Sequence, residues 1–369
     1  MRLTGVLVLC ALAAFAGPFD RKKKKSEEDV TQVLQLPKDP PAAVVAEPRR
    51  IEFYVSPLST RGLLSQQVRD ALKSLHRSVG SGSIVKLRAF VAGSGDMRRV
   101  QAIVSEVFTD KHLNLPALSV VQVGGLPLDG AQVVIEATVV SKKEINPDGL
   151  VFISGQQAAL PQPLQPVEPL AEKALAGLRE AVRAVRSEPQ DVLRGTCFMS
   201  SLDGVGKIRD LMRTAYEHAA WNFVQIQRSP MNSVVECEVV ARSRVKSGQP
   251  LKFLNPDGLS KSANYSQIAE VSAPRIAITG TQVAFGFQDA DVRLAFGRLK
   301  KELAGVGASI KDVAWSSIYP LSGSVADEVR KIRFEYYDSA RPPACTLLPF
   351  EGLPSMDASF AVDAIAVAK

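Results

Sequence analysis

The sequence predicts an α+β protein made of three tandem copies of one module, and three observations carry the prediction. Strand and helix signals recur in the order strand, helix, strand, helix, strand, strand, three times between residues 43 and 369. Each penultimate strand opens on small residues, Pro116-Ala117-Leu118, Ala219-Ala220-Trp221 and Pro343-Ala344-Cys345, spaced 103 and 124 residues apart, the size of a compact domain. The strands also alternate too little for half-exposed sheets, as VVIEATVV and IAITGTQVAFG show, so both faces of each sheet need cover.

In the first copy, IEFYVSPLS (51–59) reads as a strand, and Leu64, Val68, Leu72, Leu75 and Val79 recur at helical spacing up to Gly80. IVKLRAFVA follows as a strand, then a helix with Met97, Val100, Val104 and Val107 on one face. ALSVVQVG and AQVVIEATVV close the unit around a turn at Asp129-Gly130. The second copy runs LVFISGQ, a helix through Leu170, Ala174, Leu178, Ala181 and Val185, then DVLRGTCFMS, a short helix through Ile208 and Met212, WNFVQIQR and SVVECEVVA. The third runs RIAITGTQ, a helix through Val292, Phe296, Leu299, Leu303 and Val306, then DVAWSSIY, a helix through Val325, Val329, Ile332 and Tyr336, CTLLPF and ASFAVDAIAV. The expected divisions are 43–141, 142–246 and 247–369. Between Glu136 and Ser154 there is little room for a strand leading into the second copy, so that copy shares a continuous VVSKKEI strand or lacks the element.

Composition bounds the function classes. The chain has 369 residues, 46% hydrophobic and 22% charged, which excludes general disorder. Of its net charge of +7, residues 1–50 supply nine Lys/Arg and six Asp/Glu, leaving 36 against 32 elsewhere, or +4, too little to argue nucleic-acid binding. Cys197, Cys237 and Cys345 have no ligand-like spacing, so neither zinc nor a disulfide framework is indicated; Cys237 and Cys345 read as buried small hydrophobes, with a reactive thiol as the alternative. His76, His112 and His218 fall in separate segments and form no triad. No cofactor and no metal is expected.

The leader divides the localisation readings. Residues 3–16, LTGVLVLCALAAFA, end in Ala14-Phe15-Ala16, so residues 1–17 read as a signal peptide or an anchor touching the membrane. RKKKK at 21–25 opposes simple secretion. The expected address is the secretory pathway or an organelle reached through it, such as a complex plastid. Residues 18–42 are a flexible linker, and the proline-bearing stretch 26–48 reads as a tether.

The Ser154-Gly155-Gln156 corner after an apolar strand, the Pro-Ala-x opening, the Leu126-Pro127 turn and last strands of the type VECEVVA or VDAIAV together resemble the Rid (YjgF-type) family of reactive-imine deaminases, three times over. The resemblance implies ferredoxin-like, chorismate-mutase-like modules that assemble with sheets inward, helices outward and ligand clefts between neighbours. Three copies in one chain imply an intramolecular pseudo-trimer, a monomer needing no partner chain. The tether makes that association intramolecular, at effective concentrations on the order of millimolar.

For chemistry, the family resemblance implies an arginine at the x of Pro-Ala-x, gripping the substrate carboxylate with two parallel hydrogen bonds, and a glutamate near the start of the last strand that orients water. Here the arginine positions carry Leu118, Trp221 and Cys345, none able to bind a carboxylate by charge. Counting two residues back from Glu136, Glu238 and Asp363, the glutamate positions carry Val134, Glu236 and Ala361, so Glu236 alone is retained. Tyr265 of ANYSQ falls where the family carries a cleft tyrosine.

The expected function is a diverged Rid-like protein without imine deaminase activity that binds a small metabolite, or acts as an assembly subunit, through clefts lined by Ser154, Gly155, Trp221, Tyr265, Thr279, Gly280 and Cys345. One alternative is residual or altered deamination at a single cleft, with Glu236 and Ser154, or Tyr265 and Thr279; another is RNA binding. Arg341, four residues before Cys345, is the guanidinium considered as a stand-in. Each residue also has a plain structural reading: a turn for Ser154 and Gly155, an ion-paired carboxylate for Glu236, packing for Trp221.

Overall fold

In a computed structural model that describes residues 37–93 and 95–369, the helical faces fall where the apolar spacing puts them. In chain order the elements are β1 (Ala43–Ala46), β2 (Ile51–Val55), α1 (Leu64–Val79), β3 (Ser83–Ala92), α2 (Arg98–Asp110), β4 (Ala117–Val123), β5 (Val133–Val140) and β6 (Leu150–Leu160). Then follow α3 (Glu168–Ala184), β7 (Val192–Met199), α4 (Val205–Ala215), β8 (Ala220–Gln225), β9 (Ser233–Arg242), β10 (Leu251–Leu254) and β11 (Ile268–Val271). The chain closes with β12 (Arg275–Thr279), β13 (Gln282–Phe285), α5 (Asp289–Gly305), β14 (Ala308–Pro320), α6 (Gly323–Ile332), β15 (Ala344–Leu347) and β16 (Ala358–Ala368). In α1, Leu64, Val68, Leu72, Leu75 and Val79 are all buried, and Gly80, at φ +58°, ends the helix in a conformation that side chains resist. Among the described residues no helix is long and apolar enough to cross a membrane. The signal-peptide or anchor reading of residues 1–17 lies outside the described residues.

Three sheets repeat one connection. Their shared cores run β2-β5-β3-β4, β6-β9-β7-β8 and β12-β16-β14-β15. In each, the first strand pairs antiparallel with the last, the last antiparallel with the middle strand, and the middle strand parallel with the penultimate one. Helices cover the outer face of each sheet: three separate apolar clusters join α1 and α2 to the first sheet, α3 and α4 to the second, α5 and α6 to the third. The inner faces meet one another. One shared cluster packs Phe90 and Val121 with Phe198 and Val224 and with Tyr319 and Phe350; another packs Ile51, Phe152, Ile278 and Trp315. This double cover explains why the strands lack polar alternation.

Between the two shared clusters lies a buried belt of charge. Glu136, Glu238 and Asp363, one from each last strand, face Arg88, Arg194 and Lys86. Arg88 bonds both Glu136 (2.9 Å) and Glu238 (2.7 Å). Each acid also accepts from the penultimate strand of a different sheet: Asn222 donates to Glu136, Thr346 to Glu238 and Ser119 to Asp363. The same contact is thus made three times in cyclic order.

Four expectations need correction. The 26–48 tether contains β1, whose partner β12 lies more than 200 residues downstream; AVVA between prolines is too short to signal a strand locally. The Ser154-Gly155 corner does not end its strand: β6 runs on to Leu160 through a bulge between Ile153 and Gln156, while the corresponding bend at Gly280 separates β12 from β13. No VVSKKEI strand forms; β5 stops at Val140, and the edge of β6 is covered by β11, which comes from 110 residues later. Cys197 and Cys237, expected as free thiols, are disulfide-bonded, because β7 and β9 set them directly opposite each other at a Cα separation of 4.1 Å. Sequence spacing cannot reveal that register.

Candidate functional site

The bulge in β6 brings Gly155 against the carboxyl of Glu236 on β9; a Cβ at residue 155 would stand 2.0 Å from Glu236 Oε1. Only glycine allows the approach. Glu236 is 6% exposed, and its one side-chain partner is Gln157, whose Nε2 donates to Oε2 at 2.9 Å. Burial, and then repulsion from Glu238 two residues on, push its carboxyl up to about 8. Glu236 therefore carries its proton at neutral pH. It is neither solvated nor ion-paired.

The opposite wall comes from the third sheet. Ser154 Oγ donates to Ser266 O at 2.7 Å and accepts the Cys345 N–H at 2.9 Å, joining the bulge directly to β15. Cys345 is a free, buried thiol, which burial pushes up to about 11. Beside it stands Arg333, in the turn after α6. Its Nη1 donates to Cys345 Sγ at 3.5 Å and its Nη2 to Asn264 O. Arg333 is 2% exposed, and among the described residues its Nε has no hydrogen-bond partner and no carboxylate lies within ion-pair distance of it. Tyr265 stands close enough to the group that burial and then Glu236 push its phenol up.

The expectation that no cleft retains a guanidinium is therefore overturned at this seam. The arginine position of the Pro-Ala-x strand is indeed Cys345, but a guanidinium arrives from the neighbouring helix end. It is not Arg341, which is exposed and paired with Asp338 at 3.1 Å. Local sequence reasoning overlooked Arg333 because it looked along the strand. The available signal was its place one residue beyond the apolar stripe Val325, Val329, Ile332, on a turn packed against β15.

Beside this group lies a cavity of about 530 Å³, lined from the second sheet's side by Met231 and by Gln157, the partner of Glu236, and from the third sheet's side by Ala326, Arg330 and Leu347; Glu236, Cys345 and Arg333 are not themselves among its lining residues. Gln157 follows Gly155 by two residues, Leu347 follows Cys345 by two, and Arg330 precedes Arg333 by three. The cavity thus continues the strand and helix faces that carry the buried group. Its walls are mixed, with Leu321, Leu348 and Ile226 beside Arg330, which is paired with Asp327 at 2.6 Å.

The remaining predicted residues lie elsewhere. Trp221 is stacked between Tyr216 and Phe223 inside the second module, its Nε1 donating to Tyr216 O at 3.2 Å. Gly280 stands against Leu118, and its N–H donates to Ala42 O at 2.8 Å, while Thr279 Oγ1 accepts the Ala364 N–H. The segment leading into β1 therefore runs along that seam. Among the described residues no group of His, Cys, Asp and Glu side chains could hold a metal ion.

Residues 58–141 match the model of the family described as Endoribonuclease L-PSP, the YjgF/Rid family, so that segment of the chain is similar to it. Among solved structures the chain is similar to a Rid-family protein from Yersinia pestis, at 21% identity over 32% of this chain and 99% of the other, with a TM-score of 0.30. It is also similar to YjgF-family members from Mycobacterium tuberculosis (20% identity, 32% of this chain and 99% of the other, TM-score 0.24) and Neisseria meningitidis (15%, 32% and 95%, TM-score 0.24). No curated protein matches.

Proposed function

We propose that the chain is a diverged Rid-like protein, folded as an intramolecular pseudo-trimer of three modules, that binds a small organic acid at the seam between its second and third modules. Support for the ring comes from the repeated sheet connection and from the acids of the charged belt, each bonded by the next module in cyclic order. One observation carries the ligand: Arg333 is buried and, among the described residues, has no carboxylate partner. An uncompensated buried guanidinium is costly, and an oxyanion entering from the adjoining cavity removes that cost. The protonated Glu236 offers the same ligand a hydrogen-bond donor, and Leu347, Leu348 and Ile226 suit an apolar body.

Imine hydrolysis is a poor match to this seam. A glutamate that keeps its proton at neutral pH does not activate water as a base. At the corresponding positions the other copies carry Val134 and Ala361 for the acid, and Leu118 and Trp221 for the arginine. The disulfide favours an oxidising compartment, in keeping with the secretory address proposed from the leader.

The test is calorimetric titration of the chain with benzoate and with pyruvate, beside an assay of 2-aminoacrylate turnover. Saturable binding by wild type, weakened about ten- to a hundredfold in Arg333→Met, is expected, since a charge-assisted pair is worth about 1.5–3 kcal/mol. Equal binding by both proteins refutes the site. Turnover abolished by Glu236→Gln instead establishes the second reading, an altered deaminase at this seam, in keeping with the retention of Glu236 at the family's glutamate position.

A further inference from the structure

We infer that the outer edge of β2 is a docking edge for an extended aliphatic segment of a partner, added as an antiparallel strand. The first strands of the three sheets are alike in every pairing but one. The edge of β6 carries β11, of sequence IAEV, and the edge of β12 carries β1, of sequence AVVA, each antiparallel and four residues long. Among the described residues β2 pairs with β5 alone.

Its free groups can be named. Ser56 N–H donates to Ile135 O, and Arg50 O accepts the Ser141 N–H, so the even-numbered residues from 50 to 56 face β5 and Ile51, Phe53 and Val55 face outward. Ile51 is satisfied locally: its N–H donates to Pro48 O, and its carbonyl accepts Asn146 Nδ2 at 2.8 Å. Phe53 and Val55 retain an outward N–H and C=O each, a short ladder without a partner strand.

Burial follows the same division. Residues 52–55 of β2 are all half-buried, whereas residues 150–153 of β6 and 276–279 of β12 are fully buried beneath their covering strands. The cause lies in the connection. In the other two seams the covering strand leads into the next first strand, but β5 passes to β6 through residues 141–149, which turn beside Arg49 and are too short to supply one. The two covered edges also define what fits: a segment of about four residues, small and aliphatic like IAEV or AVVA, its main chain giving affinity and its side chains the choice of partner.

The experiment measures amide hydrogen exchange of the full chain, free and with a synthetic peptide of residues 266–273, SQIAEVSA; the control peptide has proline at its fourth position. Fast exchange at Phe53 and Val55 in the free protein, slowed at least about tenfold by the first peptide and not by the control, is expected. Slow exchange at both amides in the free, dilute protein means the edge is already covered and overturns the inference, as does unchanged exchange at saturating peptide. Protection that instead grows with protein concentration identifies a second copy as the occupant and overturns the assignment to a partner segment.

Discussion

Replacing Glu236 with Gln removes one proton-binding group and little else, because the amide keeps an oxygen to accept from Gln157 and fits the space beside Gly155. The Glu236 carboxyl sits at about 8 in the folded chain against an ordinary 4.5. A carboxyl raised on folding binds its proton more tightly in the native state, so stability falls as pH rises between those values. Each pH unit is worth about 1.4 kcal/mol. By pH 7 the burden is about 3 kcal/mol, and above pH 8 it levels off at about 5. Glu236→Gln should therefore match wild type near pH 4.5 and exceed it by about 3 kcal/mol at pH 7 in urea unfolding. Curves for the two proteins that stay parallel from pH 5 to pH 8 would refute the buried, unpaired carboxyl and with it the chemistry assigned to the seam.

Arg88→Met leaves Glu136 and Glu238 bridged by Arg194 alone, and should cost about 3–5 kcal/mol, read by the same urea titration. Alkylation after denaturation without reductant should label Cys345 and spare Cys197 and Cys237; reduction should make both available, as mass spectrometry of the peptides reports. Arg333→Met, which removes a buried charge along with its bond to Asn264, should leave the ligand-free protein as stable as wild type or more so, while abolishing stabilisation by added benzoate in a thermal shift assay.

The helices were legible because α1, α3 and α5 carry long apolar stripes at unambiguous spacing, and the repeat was legible because the same order of elements recurs three times. Strand exchange was not. AVVA and IAEV pair with β12 and β6, and nothing within four residues specifies a partner at least 230 or 115 positions away. The site shows the same limit. Ser154, Gly155, Glu236, Tyr265 and Cys345 were picked out by motif and do converge, yet Arg333 was invisible because it replaces a strand residue from a different element. The disulfide was hidden in the same way, since it depends on the register of β7 against β9 rather than on cysteine spacing. What the residues specify locally was readable, and what depends on pairing between distant segments was not.

The account rests on one buried cation awaiting an acid. Crystals of the chain grown with millimolar benzoate test it most directly: the carboxylate should lie against the Arg333 guanidinium, at the inner end of the cavity lined by Gln157 and Leu347, and at neither of the other seams. Benzoate bound elsewhere, with Arg333 closed on a protein carboxylate, would contradict it.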